Sequence, residues 1–330
     1  MNAMNQRAAT FLSAGVAVVL LLALVSPLGA KNDMARTGKA APPKRAVSTA
    51  KQAPQGRLQI LSADPYRAAL LIDAEGGAVL FEDGADRKGY PASMVKLMNF
   101  LLILEAVEAR QLSLKEKVLV TVEAAKIGGS QVYLKEGEVF SVDDLLYALM
   151  VQSANDAATA LAIHYQGSKE AFVDLMNRRA REMGMKDTVF HSVHGLPPGR
   201  GQLPDVSTPR DMALLSREVL RHPRALQYTA TKKRLFRTDA EEPFVMENHN
   251  QLLGRFEGCD GLKTGYFRAA GFSIAATAEQ GGQRVIAIVM GSVQSATRDN
   301  STKKLLLQGL RAVAAGRPPS DAVVRADQQQ

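Results

Sequence analysis

PASMVKLMNFLLILEAVE, residues 91–108, reads as an apolar helix with two reactive side chains near its start. Ser93 and Lys96 stand three residues apart. Residues so spaced are neighbours on a helix, so the lysine Nζ can reach the serine Oγ. Burial at the positive end of a helix disfavours an ammonium. A neutral lysine can then take the serine proton. The pair alone is weak, because Ser-x-x-Lys occurs three times, as Ser48/Lys51, Ser93/Lys96 and Ser301/Lys304. The first lies in a polar, basic stretch, and the third sits where a terminal helix would be capped. Only the second opens a strongly apolar helix. Even there, a capping serine and a lysine reaching for solvent fit the same letters.

Two further motifs weigh on the choice. SAND (153–156) holds the only Ser-x-Asn and falls between two predicted helices; LKTGY (262–266) holds the only Lys-Thr-Gly. A serine acyl-transfer site needs donors, a proton shuttle and a carboxylate reader around its nucleophile. Ser153, Asn155, Lys263 and Thr264 have those chemistries. Gly265 would let a substrate lie against a strand without a Cβ in the way.

Outward from these motifs the chain alternates clear signals. YRAALLIDAEGGAVLFED (66–83) predicts a hairpin about Glu75-Gly76-Gly77, and GFSIAATAEQGGQRVIAIVMGS (271–292) a second about Gly281-Gly282. Between them, Ser141 with Asp144 predicts a capped helix to Met150. A second helix fits Asp156–Tyr165, Ser168 caps a third to Met183, and Thr208-Pro209 with Asp211 opens a fourth to about Arg221. HSVHGLPPGRGQLPD (191–205) must be a loop. A last helix is expected from Thr302 to about Ala315. The pattern predicts an α+β fold, with an antiparallel sheet of about five strands packed against a helical cluster.

Ser-x-x-Lys, Ser-x-Asn and Lys-Thr-Gly, in that order, resemble the motif set of penicillin-binding proteins and serine β-lactamases. YPASMVKLMN, GGSQVYLKEGE, LLYALMVQSANDAATALA, FVDLMNRRAREMGMKDTVF, HGL, STPRDMALL and DGLKTGYFRAAGFSIAATA narrow it to the low-molecular-mass D-alanyl-D-alanine carboxypeptidases. The resemblance covers roughly residues 60–312 and implies a serine β-lactamase or DD-peptidase-like fold. It implies that Ser93 attacks the carbonyl between two D-alanines and that Lys96 is its base. Ser153 would relay protons with Lys263 nearby, and Asn155 would hold the peptide amide. The N–H groups of Ser93 and Tyr266 would form the oxyanion hole. Thr264 and Arg298 would bind the terminal carboxylate. No metal or other cofactor is implied. The partners would be peptidoglycan stem peptides, with β-lactam antibiotics as covalent inhibitors.

The departures are Phe267, where some relatives have threonine, and His249, in NHNQLL, where some have arginine. Many carboxypeptidases of this type add an all-β domain and an amphipathic C-terminal anchor, and the last fifteen residues are too few for either. A DD-endopeptidase cleaving cross-links is therefore an alternative, as is a wall-binding protein that has lost catalysis. A β-lactamase fits less well, since no glutamate-bearing loop can be assigned to fast deacylation.

Of the remaining candidates, His191 and His194 are spaced as metal ligands can be but lack an acidic cluster, which favours loop packing. Cys259, the single cysteine, has no histidine placed to activate it. Asp156 reads as a helix-start charge.

The net charge of +8 is concentrated in residues 31–57, where seven Lys and Arg face Asp33 alone. A nucleic-acid binder is expected to carry its basic charge on the folded domain, so no nucleic-acid partner is expected. Residues 1–30 are read as a signal peptide or N-terminal membrane anchor. The uncharged stretch 8–30 is long enough to span a bilayer. Residues 31–57 are read as a basic disordered linker, 58–315 as the catalytic domain and 316–330 as a disordered tail. Flanking Lys and Arg are denser after the apolar stretch, which by itself would keep the domain in the cytoplasm. The three-motif site outweighs that, so the domain is expected in the periplasm or on the outer face of the cytoplasmic membrane.

Overall fold

The computed structural model describes residues 58–316 and a two-residue strand at Val324–Arg325. The apolar segment 8–30 and the basic segment 31–57 lie outside the described residues. The chain divides into units Met1–Ala50 and Lys51–Gln330, and all that follows belongs to the second.

The first hairpin forms as expected, from β1 (Ala68–Asp73) and β2 (Val79–Asp83). A 3-10 turn, Ala92–Val95, then leads into α1 (Lys96–Glu108). A small ribbon of β3 (Lys117–Leu119) and β4 (Val139–Ser141) encloses the short α2 (Val122–Ala125). Next come α3 (Val142–Met150), α4 (Asn155–Gln166), α5 (Lys169–Glu182), α6 (Pro209–Leu220) and α7 (Ala225–Thr229). A second ribbon, β5 (Lys233–Phe236) with β6 (Phe244–Glu247), precedes β7 (Cys259–Phe267), β8 (Gly271–Gln280) and β9 (Gln283–Ser292). The last elements are α8 (Ser295–Ala314) and β10 (Val324–Arg325).

The caps read from sequence form. Ser141 Oγ, Ser168 Oγ and Thr208 Oγ1 accept from Asp144 N (3.1 Å), Ala171 N (3.1 Å) and Asp211 N (3.2 Å). Each satisfies a donor that the first turn of a helix leaves open.

The main sheet runs β10-β2-β1-β9-β8-β7. Its five long strands are antiparallel, and β10 pairs with β2 in parallel. The fold is thus α+β, as expected. Three details differ from the expectation. Lys-Thr-Gly, for which no element was expected, lies within a strand, β7, at the sheet edge. The last helix begins at Ser295, not Thr302, so Arg298 is helical. Val324–Arg325 of the supposed tail joins the sheet.

Alternate residues of each central strand point to opposite faces, and both faces are covered. Leu70, Ile72, Ile286, Ile288 and Met290 join the helical cluster. Ala69, Leu71, Val285, Ala287 and Val289 pack with Leu305, Leu306 and Leu310 of α8. This is why the second hairpin reads as continuous apolar sequence rather than a polar alternation.

Helix α1 is buried along nearly its whole length, from Lys96 to Leu104 and at Ala106. A helix apolar all round belongs in the core. Each of its fully buried Leu, Ile, Phe or Met side chains contributes about 1.5–3 kcal/mol. That gain offsets the cost of burying Lys96 and Asn99 on the same helix. Farther along it, Glu105 receives Arg179 of α5 through Nε (2.9 Å) and Nη2 (2.7 Å), and Nη2 also reaches Glu218 of α6 at 2.8 Å. One guanidinium therefore ties three helices at the end of α1 away from Lys96.

Candidate active site

Ser93 lies in the 3-10 turn, and α1 starts only at Lys96. The turn is closed by Met94 N donating to Pro91 O at 3.1 Å. No side chain caps this helix start, so the capping role for Ser93 is not realised. The lysine does not reach solvent either; it is fully buried. Its Nζ lies 3.1 Å from Ser93 Oγ and 2.6 Å from the carbonyl oxygen of His194. Burial, and next the Lys263 ammonium, hold Lys96 well below the ordinary lysine range, while Asp205 and Asp156 pull the other way. The amine is thereby disposed to be neutral beside the serine hydroxyl.

Ser153 stands in the turn between α3 and α4 with φ of +58°, and Ala92, just before Ser93, has φ of +49°. Left-handed backbone at a non-glycine costs about 1–3 kcal/mol and collects at functional sites. Ser153 Oγ is buried with no hydrogen-bond partner among the described residues. Asn155 Nδ2 donates to Gly128 O at 2.7 Å and its N–H to Ser130 O at 2.8 Å, which leaves the side-chain oxygen as the group it can offer a ligand. Asp156 accepts from Val132 N (3.1 Å), Leu134 N (3.0 Å) and Ala157 N (2.9 Å). The carboxylate thus does more than start a helix, because it pins the 128–134 loop beside the site.

On the opposite wall, Lys263 is buried and donates to Thr264 O at 3.1 Å. Burial first, and Arg298 second, bring Lys263 down to about 7. A Cβ on Gly265 would stand 2.4 Å from Pro91 O and 3.2 Å from Ser93 N. The glycine is therefore required chiefly so that β7 can abut the turn that carries Ser93, a different reason from the one read in the sequence. Tyr266 is exposed and stacks on Phe272, with ring centroids 4.0 Å apart. Phe267 stacks on Tyr90 at 5.7 Å. Arg298, almost fully buried, donates to Asp299 Oδ1 through Nε (2.9 Å) and Nη2 (2.7 Å).

These walls enclose a cleft of about 330 Å³, within the range of small-ligand sites. Ser93, Ser153, Thr264, Gly265, Tyr266 and Arg298 all line it, so the three separated motifs do converge. Lys96, Asn155 and Lys263 stand behind that lining. Ser130, Gln251, Phe272 and Ser295 also line the cleft and were not singled out from sequence. Ser130 and Phe272 do lie within stretches that carry the family resemblance, and Gln251 lies with His249 in NHNQLL. His249 lines the cleft as well, and lost hydration followed by Lys263, Lys96 and Arg298 draws it down to about 4.

His194 is buried, with Nδ1 accepting from Leu196 N at 3.1 Å, in keeping with loop packing. Cys259 is a free thiol that burial pushes up to about 11, unsuited to nucleophilic work. Among the described residues, Glu105, Glu218 and His222 bring ligand-type atoms within 4.8 Å of one another. Arg179 already supplies the cation there.

A family model described as D-alanyl-D-alanine carboxypeptidase matches residues 53–294. The D-alanyl-D-alanine carboxypeptidase DacC of Escherichia coli is 38% identical over 253 residues, which cover 74% of this chain and 61% of that protein. DacF of Bacillus subtilis, of the same description, is 35% identical over 240 residues, 73% of this chain and 61% of its own length. The chain thus spans about three-fifths of these curated relatives. The structure of penicillin-binding protein D2 from Listeria monocytogenes in an ampicillin-bound form is 35% identical. It superposes with a TM-score of 0.66 over 74% of this chain and 97% of that one.

Proposed function

The chain belongs to the D-alanyl-D-alanine carboxypeptidase family, and on that premise we propose that it removes the terminal D-alanine from peptidoglycan stem peptides through a serine acyl-enzyme. The observation that carries the reading is the fully buried Lys96 amine 3.1 Å from Ser93 Oγ.

Neutral Lys96 takes the Ser93 hydroxyl proton as Oγ attacks the carbonyl between the two D-alanines. The oxyanion is held by the N–H groups of Ser93 and Tyr266, each worth about 3–4 kcal/mol in comparable sites. Ser153, whose buried hydroxyl has no hydrogen-bond partner among the described residues, relays the proton taken up by Lys96 to the departing D-alanine nitrogen, with Lys263 nearby. The C–N bond breaks and Ser93 is left as an ester, which water hydrolyses to free the shortened peptide. Thr264 and Arg298 receive the terminal carboxylate of the substrate. Asn155 holds the peptide amide through its side-chain oxygen, since its Nδ2 is committed to Gly128 O. β-Lactams acylate Ser93 in the same way, a reading supported by the relative solved with ampicillin. The site of action is outside the cytoplasmic membrane, with residues 8–30 as the export or anchoring signal.

The test is release of free D-alanine from a defined pentapeptide, with intact-mass detection of a penicillin adduct. Wild type should release D-alanine and gain one adduct, and Ser93→Ala should do neither. Wild type that releases nothing and gains no adduct refutes the proposal.

A further inference from the structure

Lys96 is oriented by a backbone carbonyl on the loop between α5 and α6, and that loop has its own anchor. Mutual bonds between Val189 and Val206, at 2.9 and 3.0 Å, close its base. Just inside the base lies Asp205, almost fully buried. Its Oδ1 accepts from His191 N at 2.6 Å and Ser192 N at 2.9 Å, and its Oδ2 accepts from Ser192 Oγ at 2.6 Å. Ser192 Oγ in turn accepts from Gly195 N at 2.8 Å. Residues 191–195 are thus folded into an arch around one carboxylate and one hydroxyl.

The inner side of the arch rests on the nucleophile helix. Asn99 Nδ2 donates to Val193 O at 3.1 Å, and Lys96 Nζ donates to His194 O at 2.6 Å. Gly195 has φ of +81°, and a Cβ there would stand 1.9 Å from Ala92 O. The arch therefore touches the turn that carries Ser93 with no space for a side chain.

We propose that Asp205, acting through Ser192 and the 191–195 arch, is a positioning residue that fixes the Lys96 amine toward Ser93. The inference rests on the acylation reading above. A neutral amine has two N–H bonds and one lone pair. Committing an N–H to His194 O leaves the lone pair free to face Ser93 Oγ. An arch that drifts lets the amine rotate, and a misplacement of about 1 Å in a reacting group can cost on the order of 10²-fold in rate. Asp205 makes no hydrogen bond to Ser93 or Lys96, so it acts through the arch.

Its charge matters as well as its shape. Burial raises the Asp205 carboxyl above its ordinary range, and the three hydrogen bonds donated to it, from Ser192 Oγ, His191 N and Ser192 N, work against that rise and favour the ionised form. The groups facing Lys96 are Lys263 from β7, Asp156 from α4, Asp205 from this loop and His194 within the arch. His249 also lies within electrostatic reach. Of these, the two aspartates favour the ammonium. Removing the Asp205 charge should leave Lys96 neutral down to lower pH.

The test is acylation by fluorescent penicillin across pH, with thermal melts on each variant of the full chain. Asp205→Asn should slow acylation about tenfold on the pH plateau and move the acid limb of the profile to lower pH. Ser192→Ala should slow it similarly with the limb unmoved, because the charge remains. Ser192→Thr, which keeps the hydroxyl, should recover most of the rate. Three results would overturn the inference: both variants acylating at the wild-type rate, rates falling only with the folded fraction, or threonine failing to rescue. Wild type that takes no penicillin would instead refute the underlying acylation reading, and this inference with it.

Discussion

At Lys96, burial and the Lys263 cation push the same way, and the two aspartates oppose them. Lys263 sits at about 7, so it is charged on the acid side of neutrality. There it repels a proton from Lys96. Lys263→Ala removes that repulsion, so the folded-state value of Lys96 rises and its neutral fraction at a given pH falls. The residual acylation profile should move to higher pH, opposite to the shift expected for Asp205→Asn. Rates measured from about pH 5 to pH 9 would check the sign. A profile that stays in place would mean that Lys263 does not set the base. The side chains in these arguments were legible unevenly. Ser93, Lys96, Ser153 and Lys263 were found because each sits in a short motif. Asp205 was not, because its link to Lys96 runs through backbone atoms, and a carbonyl carries no sequence signature.

Among the elements, β7 shows what local sequence misses. CDGLKTGYF (259–267) has glycines and charge enough to look like a loop, yet it forms nine residues of edge strand because β8 offers a ladder that is continuous from Gly261 to Phe267 and shifts register only between Cys259 and Gly261. Tertiary pairing overrides weak strand propensity there. The two ribbons β3–β4 and β5–β6 were missed for the same reason, since strands of three or four residues show too little alternation to read. Helix starts were legible because a capping side chain is a local device. The register of β7 against the nucleophile turn depends on Gly265. Gly265→Ala places a Cβ 2.4 Å from Pro91 O and forces strand and turn apart. We expect acylation to fall on the order of 10²-fold with a smaller proportional effect on thermal stability. Fluorescent-penicillin rates set beside melting curves would separate the two, and unchanged acylation would show that the contact relaxes freely.

For the molecule as a whole, the sheet is a partition between two apolar layers. One holds α1 and the helical cluster, and the other is covered by α8. Leu306 is fully buried in the second layer. Leu306→Ala should lower stability by about 2–5 kcal/mol, while acylation per folded molecule stays near the wild-type rate. Denaturant titration with active-site counting would test this. A large rate loss in the folded fraction would mean that the two layers are coupled through Arg298, which α8 also carries. The lone cysteine has a practical corollary for such work. With its thiol pushed up to about 11, only about one molecule in ten thousand holds a thiolate at Cys259 at neutral pH. A maleimide dye added at pH 7 would therefore pass it by. A second cysteine placed on an open position such as Val293, two residues from Ser295 in the cleft, could be labelled without first deleting the native one, giving a fluorescent reporter beside an unaltered cleft.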